Sequence, residues 1–284
     1  MAVSTVGIVG LGTMGAGIAQ VCLEAGHRVV ARDVDAAALA RGRERVERGL
    51  ARRAEKGGLT GDAAAAAQAR LETATDLEAV AGADLVLEAI VEELRPKGEL
   101  FRTLDGLCAP ATILATNTSA LSVTAIAAAS SRAGRVVGLH FFNPAPLMPL
   151  VEVVRTAVVD EDAFAAALEF AAELGKEAVP CSDTPGFLVN RLLIPILNDA
   201  VRMLDETGAE PEDVDRALRA GAGWPMGPLA LIDLIGVDVQ VHAAEALWEA
   251  HREERLAAPA RLRRMLEAGH LGRKSGRGFY VYDR

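Results

Sequence analysis

The hexapeptide Gly10-Leu-Gly-Thr-Met-Gly15 constrains this 284-residue chain more than any other feature. It follows a short apolar run rich in β-formers, Thr5 to Val9, and opens the helix-forming stretch Ala16 to Ala25, which ends at Gly26. That order reads as strand, tight turn and helix. Each glycine has a separate duty: Gly10 permits the sharp bend, Gly12 lets backbone approach a pyrophosphate, and Gly15 lets the helix pack closely on the strand. The start of the helix, at Thr13 and Met14, then presents unpaired N–H groups and a positive dipole end to phosphate. Asp33 lies 21 residues after Gly12, at the end of the next strand. There a carboxylate accepts hydrogen bonds from an adenosine ribose and repels a 2′-phosphate, which favours NAD over NADP, although Arg28 and Arg32 are near enough in sequence to compensate a phosphate.

The same alternation continues along the chain. Arg28 to Ala31, Leu85 to Ile90, Thr112 to Ala115, Arg135 to Phe142 and Val151 to Val154 read as strands. Ala36 to Ala54, Pro96 to Leu107 and Asp162 to Leu174 read as helices. The expected fold is therefore α/β, a Rossmann-type mostly parallel sheet with helices on both faces. Gly57 to Ala67 breaks the rhythm and suggests a helical hairpin projecting from the sheet. The turn formers Ser182-Asp-Thr-Pro-Gly186 mark a boundary and a plausible hinge. They divide an NAD-binding domain, 1–184, from a second domain, 185–284. The second domain is expected to be all-α, with helices at Phe187 to Thr207, Pro211 to Ala222, Gly227 to Glu249 and Ala260 to Ala268.

Composition narrows the partners. A formal charge of -9 and a pI near 5.2 exclude a nucleic-acid partner, because phosphate binding needs a surplus of Lys and Arg that no long run supplies. No apolar stretch is long enough to span a membrane, and Met1 to Val9 lacks the pattern of a signal peptide, so the cytoplasm is the expected compartment. The three cysteines, Cys22, Cys108 and Cys181, lie far apart without metal-ligand spacing and read as reduced thiols. No metal is expected.

Three polar groups interrupt apolar strand ends in the second half of the sheet: Asn117-Thr-Ser119, His140 and Glu152. Ligands bind at such strand ends in open α/β sheets. Hydride transfer from an alcohol to nicotinamide needs a base for the hydroxyl proton, and imidazole titrates in the working range. A carboxylate on the other ring nitrogen orients the imidazole and stabilises its protonated form, so His140 is the candidate base and Glu152 its orienter. Ser119 and Asn190 are candidates to hydrogen-bond the substrate oxygen. A Ser/His/Glu hydrolase would need a Gly-x-Ser-x-Gly elbow, which Ser119 lacks.

The chain resembles the 3-hydroxyacyl-CoA dehydrogenase family, close to its short members acting on 3-hydroxybutyryl-CoA. The residues that carry the likeness are Gly10 to Gly15, Ala115-Thr-Asn-Thr-Ser119, Gly138-Leu-His-Phe-Phe-Asn-Pro-Ala-Pro146, Leu150-Val-Glu-Val-Val154, Pro185-Gly-Phe-Leu-Val-Asn-Arg-Leu-Leu193, Pro225-Met-Gly-Pro228 and Gly272-Arg-Lys-Ser-Gly276. The resemblance implies oxidation of an (S)-3-hydroxyacyl-CoA to the 3-ketoacyl-CoA, with His140 as base paired to Glu152 and with Ser119 and Asn190 on the acyl substrate. It implies further NAD contacts from Glu92, Lys97, Asn117, Ser119, Asn143 and Lys274, besides Asp33 and the glycine loop. It also implies a homodimer formed through the helical domain.

Two departures concern basic residues. The family's coenzyme A hairpin often carries Lys-Gly-Lys, where this chain has Lys56-Gly57-Gly58, which leaves Lys56, Arg52 and Arg53 as the local cations. Pro149 stands where a basic residue commonly precedes Leu-Val-Glu. Two other readings share much of the pattern: an L-gulonate 3-dehydrogenase of the lambda-crystallin kind, and a non-catalytic NAD-binding protein. Retention of Ser119, His140, Glu152 and Asn190 weighs against the second.

Overall fold

The computed structural model describes residues 3–283. The chain divides into two compact units, Met1–Thr184 and Pro185–Arg284. The first begins with β1 (Thr5–Val9), α1 (Thr13–Glu24), β2 (Arg28–Arg32), α2 (Ala36–Glu55), α3 (Gly61–Ala69) and β3 (Leu71–Ala74). It continues with β4 (Leu85–Glu88), α4 (Leu94–Leu107), β5 (Ile113–Thr116) and α5 (Val123–Ala127). It closes with β6 (Val136–Phe141), β7 (Leu150–Arg155), α6 (Glu161–Glu173) and β8 (Glu177–Ser182).

The strands form one eight-stranded sheet in the order β3-β2-β1-β4-β5-β6-β7-β8. Every pairing is parallel except β6 with β7, so β7 and β8 run against the other six strands. From β1 the chain first moves one way to β2 and later the other way to β4, which makes β1/β4 the switch point where strand ends open a crevice. The central strands are apolar because helices cover them. Val6, Ile8, Leu85, Leu87, Ile113 and Leu139 are fully buried, each worth ~1.5–3 kcal/mol relative to exposure.

Capping explains several helix starts. The Asp35 carboxylate accepts from Ala38 N at 2.8 Å to begin α2, and the Thr60 hydroxyl accepts from Ala63 N at 3.1 Å to begin α3. The hairpin expected at Gly57 to Ala67 is made by α2 and α3 around Gly57 (φ +72°). It does not simply project: α3 lays Ala67 into the core, with Ala64 and Leu59 packed against the same cluster. Two strands were not anticipated. β3 is an edge strand, and so is β8, whose Pro180 is tolerated because an edge has ladder donors to spare.

The second unit contains α7 (Val189–Thr207), α8 (Pro211–Ala222), α9 (Pro228–Ile235), α10 (Val237–His251) and α11 (Ala260–Glu267). The single helix expected from Gly227 to Glu249 is corrected to two. Gly236 adopts φ +111°, a conformation closed to ordinary L side chains, and separates α9 from α10. Leu197, Val201, Leu229, Ile232, Val237 and Leu262 form the core of this unit. Two buried amides lock it in one arrangement, Gln240 Nε2 donating to Asn198 Oδ1 at 2.9 Å and Asn198 Nδ2 to Leu256 O at 3.1 Å. Buried Asp233 gathers the last residues, accepting from Phe279 N, Tyr280 N and the Tyr282 hydroxyl, each at 3.0 Å.

Candidate active site

The glycine loop sits at the switch point. Gly10 has φ +96°, and a Cβ there would stand 2.6 Å from Ala89 O, just beyond β4. A Cβ on Gly15 would lie 1.8 Å from Gly10 O, so helix and turn touch only because both residues lack side chains. At Gly12 the picture reverses, with nothing within 4 Å of the Cβ position. The first turn of α1, Thr13 and Met14, receives no side-chain cap, which leaves its N–H groups directed at that open space. Asp33 Oδ2 accepts from Leu11 N at 2.8 Å and its Oδ1 from Val34 N at 2.7 Å, which ties the carboxylate to the glycine loop. A dinucleotide pyrophosphate and ribose fit these groups.

Next along the same edge comes a ladder of charges. Glu88, the last residue of β4, is wholly buried; its Oε1 accepts from Ile90 N (2.7 Å) and Lys97 Nζ (2.5 Å), and its Oε2 from the Thr116 hydroxyl (2.7 Å). The Lys97 ammonium also meets Glu92 at 3.2 Å. Glu92 Oε1 in turn accepts from the Thr118 hydroxyl at 2.6 Å, from Ser119 N at 2.8 Å and from Ser119 Oγ at 3.3 Å. Burial works against the Glu92 carboxylate, but the Lys97 charge and these hydrogen bonds outweigh it and hold the group below the usual carboxylate range. Lys97 is thus an interior cation bridging two glutamates, and Ser119 is held from beneath by one of them. Asn117 Oδ1 accepts from Phe141 N at 2.9 Å, linking the ends of β5 and β6.

His140 and Glu152 stand opposite each other in the β6–β7 register. In an antiparallel pair such residues share a face with Cβ atoms about 4.5–5.5 Å apart. The imidazole Nδ1 lies 2.7 Å from Glu152 Oε2, in surroundings that leave His140 5% and Glu152 0% exposed. A carboxylate partner at Nδ1 makes that nitrogen the N–H donor and sets Nε2 as the basic one. The Phe142 ring packs on the imidazole, centroids 4.4 Å apart. From β1 to β6 there are three strand spacings, roughly 14 Å, a span that an extended dinucleotide covers.

The remaining expected residues lie on other elements. Asn143 is exposed in the loop joining β6 to β7, where the Asn143-Pro144 peptide is cis. Asn190 is the second residue of α7, and Lys274 lies near the end of the second unit, 2.5 Å from Asp238. Lys56 caps α2 and is exposed, as is Arg52 one turn earlier on the same face. Arg53 pairs with Glu24 at 3.3 Å and is thereby committed to the fold. All three cysteines are buried and unbridged, and burial first pushes the Cys22 and Cys181 thiols up to about 12. Sequence reading passed over Glu88, Thr116 and Thr118. Their signal was faint: a carboxylate closing the apolar run Leu85-Val-Leu, with a second acid and a lysine in the following turn and helix.

Comparison with known proteins agrees across the whole chain. The family model for the 3-hydroxyacyl-CoA dehydrogenase NAD binding domain matches residues 5–184, and that for the C-terminal domain of the same family matches residues 186–282. A 3-hydroxybutyryl-CoA dehydrogenase of Mycobacterium tuberculosis is 46% identical over 283 residues, 99% of each chain. Among solved structures, M. tuberculosis FadB2 is similar with a TM-score of 0.97 at 45% identity, and the (S)-3-hydroxybutyryl-CoA dehydrogenase PaaH1 from Ralstonia eutropha with 0.95 at 40%. Both cover 100% of this chain and of their own.

Proposed function

This chain belongs to the 3-hydroxyacyl-CoA dehydrogenase family, and from that premise we propose that it oxidises the 3-hydroxyl of a short (S)-3-hydroxyacyl-CoA, 3-hydroxybutyryl-CoA foremost. It is an NAD-dependent oxidoreductase. The observation that carries the mechanism is the buried His140–Glu152 pair, held at 2.7 Å by the register of two antiparallel strands.

His140 takes the hydroxyl proton on Nε2 while Glu152, across Nδ1, stabilises the imidazolium that results. NAD, held by the glycine loop and Asp33, would supply the hydride-accepting chemistry that turns the carbinol into a ketone. Ser119, fixed at its backbone N–H by Glu92, turns its hydroxyl from that carboxylate to the substrate oxygen; Asn190 is assigned to the same acyl group. Asn143 and Asn117 line the nicotinamide side. Gly10, Gly12, Thr13, Met14, Gly15 and Asp33 hold the pyrophosphate and ribose, with Glu92 and Lys274 completing the cofactor contacts and Lys97 acting from the interior through Glu92. Lys56 and Arg52 meet the coenzyme A phosphates. The first unit, 1–184, is thus the NAD-binding domain and the second, 185–284, the substrate and dimerisation domain.

A homodimer is part of the proposal. Leu192, Ile196 and Met203 on α7 are exposed at 68%, 39% and 47%, spaced by four and seven residues along one helix face. Such a stripe calls for a partner. The cytoplasm is the proposed compartment, in keeping with the reduced thiols and with the finding that no helix among the described residues is long and apolar enough to cross a membrane. The test is NADH formation with (S)-3-hydroxybutyryl-CoA against L-gulonate at equal concentration. Turnover confined to the thioester supports the reading; turnover confined to the sugar acid, or none with either, overturns it.

A further inference from the structure

The loop 142–149 joins the strand of His140 to the strand of Glu152 and carries Asn143. Little of its own chemistry holds it. Asn143, Pro144, Leu147, Met148 and Pro149 are exposed, and Ala145 alone is fully inserted, at 2% exposure. Ala145 packs against Gly17 of α1, where an added Cβ would come within 3.3 Å of its side chain. Inside the loop, Leu147 N and Met148 N both donate to Pro144 O, at 2.9 and 3.0 Å. A connection of this length, mostly exposed, keeps one conformation only if polar ties fix it to neighbouring elements.

Those ties come from Lys176. β8 runs parallel to β7, with Glu177 opposite Leu150, so the residue before Glu177 arrives at the sheet edge beside the loop. The Lys176 ammonium donates to Ala145 O at 2.7 Å and to Met148 O at 2.8 Å. Glu177 N adds a bond to Pro149 O at 2.8 Å. Lys176 follows the C-terminus of α6, a place where a cation often serves the helix carbonyls. Here both acceptors belong to the loop instead. Burial lowers the Lys176 ammonium from its ordinary value; Glu24 of α1 supports the charge and Arg53 of α2 opposes it.

We propose that Lys176 is a positioning residue for the reaction: its ammonium pins two carbonyls of loop 142–149 and thereby sets Asn143 beside the nicotinamide. The proposal rests on the assignment of Asn143 made above. A charge-assisted clamp suits the task, since small displacements of a positioning group cost about 10²-fold in rate.

The experiment is a double-mutant cycle in the full-length protein with Lys176→Met, Asn143→Ala and the pair together. Turnover is measured with (S)-3-hydroxybutyryl-CoA, NADH affinity by fluorescence titration, and melting by circular dichroism. Lys176→Met is expected to lower kcat by about tenfold to 10²-fold while the Kd for NADH holds. The double variant should be no slower than Asn143→Ala alone, because both changes disable one group. Lys176→Gln, which keeps a donor for one carbonyl, should fall between Met and the parent. Unchanged kcat in Lys176→Met, with Asn143→Ala slow, overturns the clamp and leaves the site assignment standing. Multiplying losses in the pair, or unfolding of the Met and Gln variants at the assay temperature, place Lys176 in general stability and also overturn it. A harmless Asn143→Ala removes the Asn143 assignment and the proposal with it.

Discussion

Two glutamates of the same sheet, Glu88 at the end of β4 and Glu152 near the start of β7, are both 0% exposed, and each meets one basic side chain, at 2.5 Å and 2.7 Å. By burial and distance they are twins; what differs is the partner. An ammonium carries donors only, whereas an imidazole has a second ring nitrogen that can accept a proton. The Glu88–Lys97 pair acts as scaffolding, extending through Glu92 to Ser119. The Glu152–His140 pair leaves imidazole Nε2 as the accepting nitrogen, which suits the base proposed for an alcohol dehydrogenase. A buried carboxylate is thus no sign of catalysis by itself, because the donor and acceptor chemistry of its neighbour decides which role it takes.

The contrast breaks most decisively at His140. Replacing it with Ala is expected to lower kcat by about 10²–10⁴-fold with NADH affinity kept, as read by steady-state rates and fluorescence titration; a variant with parental kcat would erase the distinction. The scaffolding pair should respond in stability. Glu88→Ala leaves the buried Lys97 ammonium with Glu92 as its one carboxylate and is expected to cost up to about 3–5 kcal/mol in urea unfolding, whereas Glu88→Leu combined with Lys97→Met recovers part of it. Glu152→Gln keeps shape and loses charge, so kcat should fall by about 10²-fold and the pH profile of turnover should move toward acid, the imidazolium having lost its counter-charge.

The smallest effect concerns Glu92, whose carboxyl is held low against its own burial. A folded-state value below the unfolded one means stabilisation that is present above about pH 4.3 and disappears as pH drops through the folded value. Urea midpoints of the parent and Glu92→Gln should differ at neutral pH and converge in acid. Parallel curves down to the acid limb would detach Glu92 from Lys97 and Ser119.

Much of this was legible in sequence where the determinant is local. Gly10, Gly12 and Gly15 specify a turn within six residues, and the helical starts at Asp35 and Pro211 are signalled by single side chains. His140 and Glu152 stood out as polar residues within apolar strands. Their pairing was expected from the chemistry and from the family resemblance, but not the geometry that brings it about: it depends on β7 turning back antiparallel, and no local pattern announces strand direction. β8 escaped since Glu177, Pro180 and Ser182 spoil its alternation, an edge strand needing little apolar content. Gly236 lay within an otherwise helical pattern, where one glycine is a cost of about 1 kcal/mol and no clear stop. Lys176 gave no sign at all: its importance lies in two carbonyls some thirty residues away in the chain.

Because β7 reverses, His140 and Glu152, the proposed base and its orienter, meet across a single hairpin although only 12 residues apart. The two halves of the proton-handling unit therefore travel together through evolution and through synthesis, and recombination at either flank would carry both or neither. Loop closure grows slowly with length, about 0.6 kcal/mol per doubling, so extra residues at the hairpin tip leave their registration almost untouched. Insertions there would lengthen the loop that carries Asn143 without parting the two strands that hold the proposed couple.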